Sequence, residues 1–210
     1  MHRAAGTRPH EPCATITRGH IPRMNNAAPD DAIDLAALVL HCPGLIGDIR
    51  SDHAGETGAV MIYRGILAGT SDPAIRRFAT AHMATEQRHL DLLGALLPPD
   101  QRSALLPIWR IAGWLTGFVP ALTGPRAVYA TIDAVETFVD QHYEAQIQKL
   151  ARSGPAGALR ATLLACQADE VHHRDEARTM QTAPAGFALS AWQWAVGVGS
   201  KAAVRAARRV

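Results

Sequence analysis

The chain has 210 residues and a formal net charge of +2, with 48% hydrophobic and 19% charged residues. This length suits one domain with a substantial core better than two domains. The small charge, without a basic run interleaved with aromatic residues, argues against a nucleic-acid-binding protein. Three widely spaced cysteines support neither a disulfide framework nor a thiolate zinc site, and they favour a reducing compartment.

Residues 1–29 are predicted to be a disordered N-terminal extension. Arginine outnumbers acidic residues there, but the segment lacks the continuous apolar core of a secretory signal. We expect a tail without a targeting role. The alternatives are that these residues form a transit-like segment or that the protein truly starts at Met24.

Pro- and Gly-containing breakers divide the rest of the chain into segments of helical length, and no strand is predicted. Four segments carry apolar stripes of helical period, and they predict a helical bundle over residues 30–182. They cover 51–69, 72–97, 125–152 and 155–181. Asp52 and His53 are expected to cap the first of these helices.

Two further stretches, 105–122 and 183–199, are almost without charge. They either cap the bundle or pack in an oligomer, or they lie on a membrane surface. A transmembrane span is disfavoured because both stretches are short and interrupted by Pro or Gly. Residues 183–210 are predicted to form an apolar and then basic C-terminal helix, whose basic end would lie near anionic lipid. That end contains Lys201, Arg205, Arg208 and Arg209.

Each of the four bundle segments carries a glutamate in the middle of its apolar stripe. In chain order the polar positions are Glu, Glu-x-x-His, Glu, Glu-x-x-His, and the second half repeats the first after about eighty residues. Residues at i and i+3 project from one helix face, so each Glu-x-x-His pair can bind one ion. The six predicted metal ligands are Glu56, Glu86, His89, Glu136, Glu170 and His173.

This pattern is that of ferritin-like carboxylate proteins, in which four helices surround two metal ions. The predicted fold is therefore all-α, a ferritin-like four-helix bundle with a di-iron carboxylate site and additional apolar helices. Four buried carboxylates would be costly without neutralising charge, and two divalent ions would supply it. Oxygen and imidazole ligands without thiolate favour iron or manganese, and iron is preferred because it changes valence and binds dioxygen.

Other polar residues near the stripes have weaker assignments. His82 and His142 lie either beside the site or in ordinary hydrogen bonds, and Tyr143 either packs or positions a substrate. Asp133 and Asp175 are expected to orient ligating imidazoles.

Three stretches contain four of the six predicted ligands, without Glu86 and His89: RSDHAGETGAVMIYRG at 50–65, ATIDAVETFVDQHY at 130–143 and ADEVHHRDEA at 168–177. In this order they resemble the demethoxyubiquinone hydroxylases of ubiquinone biosynthesis. The resemblance implies the same six ligands, and it places His142 and Tyr143 in the family's HY element beside the site. Thr137 departs from the pattern, because some members carry a second acid after the glutamate; this puts one outer contact in doubt.

The resemblance further implies a di-iron monooxygenase that hydroxylates the ring of polyprenyl demethoxyubiquinone or its quinol with dioxygen. Electrons would come from NADH or from the quinol, and no glycine-rich dinucleotide motif follows a strand. We expect a peripheral protein of the membrane surface, on the cytoplasmic face of a bacterial inner membrane or, alternatively, the matrix side of a mitochondrial one. Accessory ubiquinone-biosynthesis proteins and a homo-oligomer stay open, and no nucleic-acid partner is expected.

Three alternative functions follow from the same residues. A ferritin-like ferroxidase or iron-binding protein would need no organic substrate, and a purely structural bundle would need no metal. Another oxygenase with the same site would act on a fatty acyl chain or a modified tRNA.

Overall fold

The computed structural model describes residues 33–152 and 156–210, and these residues form seven α-helices, one short 3-10 turn at Pro99–Gln101 and no strand. This confirms the predicted all-α class. The predicted extension over 1–29 lies outside the described residues. The helices are α1 (Leu35–Val39), α2 (Leu45–Gly69), α3 (Pro73–Leu96), α4 (Leu106–Thr123), α5 (Pro125–Ala151), α6 (Gly157–Thr179) and α7 (Phe187–Ala207).

The predicted breakers lie at the helix ends. Asp72 caps α3, because its carboxylate accepts hydrogen bonds from the backbone N–H groups of Ala74 and Ile75 at 2.7 and 3.2 Å. Gly44 precedes α2 with φ 80°, a left-handed conformation that favours glycine. Because α2 begins at Leu45, Asp52 and His53 lie inside the helix, and the prediction that they cap it was wrong.

Helices α2, α3, α5 and α6 form the bundle, with one apolar cluster toward each end. One cluster joins the start of α2 and the end of α3 to the end of α5 and the start of α6. The other joins the opposite ends of the same four helices with part of α7. Helices α2 and α6 therefore run in one direction and α3 and α5 in the other, with α4 in the crossover, as in ferritin-like bundles. The polar residues of the four stripes lie between the two apolar clusters.

Helix α4 lies against α2 at very short distance because glycines line the contact. A Cβ on Gly117 would lie 1.9 Å from the carbonyl oxygen of Ile62, and one on Gly113 would lie 2.5 Å from that of Gly58. From the other side, a Cβ on Gly65 would lie 2.1 Å from the carbonyl oxygen of Trp114. Only glycine at these positions permits so close an approach of two backbones.

Both α4 and α7 keep an apolar stripe exposed. On α4 the stripe consists of Ile108, Ile111, Leu115, Val119 and Leu122, and on α7 it includes Phe187, Trp194 and Val198. Among the residues described, no helix combines the length and apolar character that crossing a bilayer requires. At the end of α7, Arg208 forms an ion pair with the buried Asp48 of α2 at 2.7 Å. This arginine, which the sequence suggested for lipid contact, fixes α7 to the bundle.

Candidate metal centre

The six predicted ligands meet in the middle of the bundle, and each is at most 5% exposed. Their donor atoms form two overlapping groups, within each of which the atoms lie within 4.8 Å of one another. The first group is Glu56, Glu86, His89 and Glu170, and the second is Glu86, Glu136, Glu170 and His173. Each group has a terminal glutamate and a histidine of its own, whereas Glu86 and Glu170 belong to both. Two neighbouring ions could therefore be held there, with Glu86 and Glu170 within reach of both.

The two Glu-x-x-His turns face each other across the bundle. Nδ1 of His89 on α3 lies 3.0 Å from Oε1 of Glu170 on α6 and 3.8 Å from Oε2 of Glu86. Nδ1 of His173 on α6 lies 2.8 Å from Oε1 of Glu86 on α3 and 3.5 Å from Oε2 of Glu170. Each imidazole thus points its Nδ1 between its own helix's glutamate and that of the opposite helix.

Several of these buried donor atoms have no hydrogen-bond partner within residues 33–152 and 156–210. They are both carboxylate oxygens of Glu86, Oε2 of Glu170 and Nδ1 of His173. The contact between His173 and Glu86 is short but not aligned as a hydrogen bond. Since an unsatisfied buried polar atom is costly, lone pairs that converge on a shared point indicate a cation there. The residues present therefore fit a pair of metal ions.

The protonation states of the cluster without metal support the same conclusion. Burial and the neighbouring carboxylates Glu170 and Glu86 raise the pKa of Glu56 and of Glu136 well above the usual range. Burial alone would raise the pKa of Glu170, but the close imidazoles of His173 and His89 outweigh it and lower that pKa to about 2. Burial opposes charge on His173, yet the close carboxylates of Glu170 and Glu86 raise its pKa to about 10. In the metal-free protein, protons on these groups partly neutralise the carboxylates, and metal ions would take over that role on binding.

Two tyrosines hold the terminal glutamates by a reciprocal exchange between α2 and α5. The Tyr143 hydroxyl on α5 donates to Oε1 of Glu56 on α2 at 2.5 Å. The Tyr63 hydroxyl on α2 donates to Oε1 of Glu136 on α5 at 3.2 Å. Burial, then nearby carboxylates, raises the pKa of both phenols well above 10, so both stay protonated donors.

An apolar cavity of about 340 Å³ reaches the centre from the side of α4 and α7. Its inner end contains Glu56, Glu136 and Tyr143. Asp52 and His142 also line it, and most of the other lining residues are small or apolar residues of α2, α4, α5 and α7. Such a cavity would admit an apolar ring and tail while keeping bulk water from the ligands.

The family described as "Ubiquinone biosynthesis protein COQ7" matches residues 46–207, which hold α2 to α7 and all six converging ligands. The chain belongs to this family.

Similar proteins from distant organisms carry related names. A 3-demethoxyubiquinol 3-hydroxylase of Rhodospirillum rubrum is 33% identical over 221 residues, covering 95% of this chain and 99% of that protein. A mitochondrial NADPH-dependent 3-demethoxyubiquinone 3-hydroxylase of Caenorhabditis elegans is 30% identical over 168 residues, with 77% and 88% coverage. The protein of that name from Dictyostelium discoideum is 37% identical over 132 residues, with 60% and 59% coverage.

In this COQ7-family chain, His142 and Tyr143 both line the cavity, but only Tyr143 contacts a predicted ligand. Nε2 of His142 lies 2.8 Å from Oδ1 of Asp52, to which Gln146 also donates at 2.5 Å. The contact with Asp52 therefore holds the His142 ring against α2. His82 packs edge-on against His173, with ring centroids 4.0 Å apart, and its Nε2 lies 3.0 Å from Oε2 of Glu176.

The acids expected to orient the imidazoles do not do so. Asp133 and Asp175 instead form ion pairs with Arg178, at 2.7 and 3.8 Å. Nε2 of His89 lies 3.1 Å from Oδ2 of Asp169, which the sequence analysis missed. Thr137, the departure from the family pattern, contacts Asp133 at 3.3 Å, away from the ligands.

Tyr63 was the other omission of the sequence analysis for this COQ7-family site, and a signal for it existed. It follows Glu56 by seven residues, as Tyr143 follows Glu136. The internal repeat that predicted the six Glu and His positions thus includes the two tyrosines as well.

Proposed function

We propose that the protein is a di-iron 3-demethoxyubiquinol 3-hydroxylase, a monooxygenase of ubiquinone biosynthesis. The observation that carries the proposal is the opening of two overlapping Glu/His donor groups onto an apolar cavity. Membership of the COQ7 family and the names of its relatives support it.

Iron is the metal we propose for both positions, held by Glu56, Glu86 and His89 and by Glu136, Glu170 and His173. Six protein ligands shared by two ions leave coordination positions for small molecules. When bound, the iron pair would supply the reduction-dependent activation of dioxygen, with one oxygen atom entering the ring and the other leaving as water.

The chain's own residues would position the ring and limit side reactions. A ring at the inner end of the cavity would lie beside Tyr143, whose hydroxyl fixes Glu56, and beside His142, which is fixed by Asp52. The apolar walls would exclude water from the ligands during the reaction. Reducing equivalents would come from a reduced nicotinamide nucleotide or from the quinol itself.

We further propose that α4 and α7 bind the membrane surface. The cavity is lined by α2 and α5 together with these two helices, and both carry exposed apolar stripes, with Phe187 91% and Trp194 71% exposed. A polyprenyl tail could then pass from the lipid to the site with little exposure to water. Lys201 and Arg205, exposed on α7, would lie near anionic headgroups. The cytoplasmic face of a bacterial inner membrane stays the predicted location.

The decisive experiment combines metal analysis with turnover. The protein is loaded anaerobically with ferrous iron, iron per chain is counted, and hydroxylation of a short-chain demethoxyubiquinol is measured by mass spectrometry. Two irons and product, both lost in Glu170→Ala and kept in Glu144→Ala, would support the proposal, because Glu144 is exposed. Two irons that consume dioxygen without product would favour a ferroxidase, and absence of bound iron would overturn the metal centre.

Membrane binding has its own test by sedimentation with vesicles. Replacing Ile111 and Trp194 with serine should release the protein from phosphatidylglycerol vesicles without changing the iron content. Unchanged sedimentation would contradict the membrane proposal and leave the hydroxylase proposal intact.

A further inference from the structure

A second pocket lies on the far side of α2 from the cavity and has the opposite chemical character. It occupies about 810 Å³ between α2, α3 and α4. Three arginines line it, Arg64 from α2, Arg102 from the loop before α4 and Arg110 from α4. The proposed hydroxylase function makes no use of them.

The three arginines have no acidic partner in the described part of the chain. None of their guanidinium nitrogens lies within 4.0 Å of a carboxylate oxygen there. Arg102 donates one hydrogen bond, to the backbone carbonyl of Gly94 at 2.9 Å, and its Nε is buried without a partner. The one acid that lines the pocket, Asp91, accepts a hydrogen bond from Gln87. With three guanidinium groups and one carboxylate, the pocket has a formal charge of +2.

His53 supplies an independent sign of a ligand. It lines the pocket, is only 5% exposed, and its Nδ1 has no hydrogen-bond partner among the residues that the structure describes. A Cβ on Gly94 would lie 3.8 Å from Nε2 of His53 and 3.5 Å from a terminal nitrogen of Arg102, so both side chains reach the same wall. Burial, then the charges of Arg102 and Arg110, lowers the pKa of His53 to about 4. An imidazole that is neutral at pH 7 keeps one N–H to donate.

The start of α4 adds to the positive potential. Leu106, the first residue of this 18-residue helix, lines the pocket, and the first turn has neither an acidic residue nor a side-chain cap. The N-terminal end of a helix carries a partial positive charge that attracts anions.

We propose that this pocket binds a phosphate group, as a diphosphate or as the phosphodiester of a lipid headgroup. Guanidinium groups bind phosphate oxygens by paired, charge-assisted hydrogen bonds, and this pocket offers three of them from three segments. A bound phosphate would link α4 to α2 and α3 on the side of α2 opposite the hydroxylase cavity.

The test uses Arg64→Gln/Arg110→Gln, since both side chains are exposed and the fold should tolerate the change. The control is Arg77→Gln/Arg160→Gln, which removes the same charge from exposed positions outside the pocket. Iron-loaded protein is titrated with inorganic pyrophosphate by calorimetry, and its binding to phosphatidylglycerol vesicles is measured with and without pyrophosphate. The imidazole resonances of His53 are followed by NMR in the same titrations.

A soluble diphosphate ligand predicts pyrophosphate binding that shifts the His53 resonances and weakens at least ~10-fold in the pocket variant but not in the control. If the ligand is a lipid headgroup, vesicle binding should weaken in the pocket variant but not in the control, and contact with vesicles should shift the His53 resonances. Pyrophosphate alone should then not bind. Equal losses in the two double variants, or no shift of His53 with either probe, would overturn the proposal. Hydroxylase activity is not a readout, so failure here would leave the proposed function standing.

Discussion

The close contact between α2 and α4 predicts that Gly117→Ala destabilises the protein although alanine favours helices. The new Cβ would lie 1.9 Å from the carbonyl oxygen of Ile62, 2.7 Å from its carbonyl carbon and 3.0 Å from the backbone nitrogen of Ile66. All three are backbone atoms, which cannot rotate away. Restoring a separation of 3.0 Å from the oxygen requires the helices to move apart by 3.0 − 1.9 = 1.1 Å.

Overpacking of this kind lowers the free energy of unfolding by ~1–3 kcal/mol, and a clash with backbone belongs at the upper end. Replacing glycine by alanine in a helix raises the free energy of unfolding by about 1 kcal/mol. The net loss is therefore about 2 kcal/mol, or ~4–8 °C in Tm for a chain of this size.

Thermal unfolding followed by circular dichroism measures the effect, with Gly197→Ala in α7 as the matched control. No atom lies within 4 Å of a Cβ at Gly197, so that variant should gain about 1 kcal/mol. Because Gly113 and Thr116 of α4 line the cavity, Gly117→Ala should also slow hydroxylation. If Gly117→Ala proved as stable as Gly197→Ala, the close-contact argument would be refuted.

Three further predictions concern the centre and its cavity. Tyr143→Phe should keep two irons but lower turnover by ~10–100-fold, because the hydroxyl that fixes Glu56 is lost. The control Tyr129→Phe should leave turnover unchanged, because its hydroxyl has no hydrogen-bond partner in the described part of the chain. Metal binding should release protons, since the pKa of His173, which burial lowers but the carboxylates of Glu170 and Glu86 raise to about 10, means that this imidazole is protonated in the metal-free site at pH 7. Affinity should then rise with pH, and calorimetric heats that do not vary with the buffer's ionisation enthalpy would disprove proton release. Gly58→Leu should leave the fold intact, as a Cβ there meets no atom within 4 Å, yet fill part of the cavity and raise KM for long-tailed quinols more than for short ones.

The convergence of the six Glu and His side chains could be predicted from sequence because it depends on spacing within single helices. Glu86 with His89, and Glu170 with His173, are three residues apart, so one helix turn fixes their common direction. The repeat of that turn after 84 residues, each preceded by a glutamate in mid-helix, left little room for coincidence. Helix ends next to Pro and Gly were predictable for the same local reason.

Contacts between helices were not predictable in this way. Asp175 lies two residues from His173, so it points roughly 200° away on the helix and cannot hold that imidazole. The acid that contacts His89 is Asp169 on a different helix, and its position depends on how α3 and α6 are aligned. The basic pocket has the same origin, since α2, α4 and the loop between α3 and α4 each bring one of its arginines.

The reciprocal tyrosine contacts have a consequence for how α2 and α5 can move. Tyr63 and Tyr143 each reach the opposite helix's glutamate, seven residues from the glutamate on their own helix. A slip of one residue along the axis, about 1.5 Å, would stretch or misalign both hydrogen bonds together. The two tyrosine hydrogen bonds therefore fix the distance between the carboxylates of Glu56 and Glu136 in the metal-free protein.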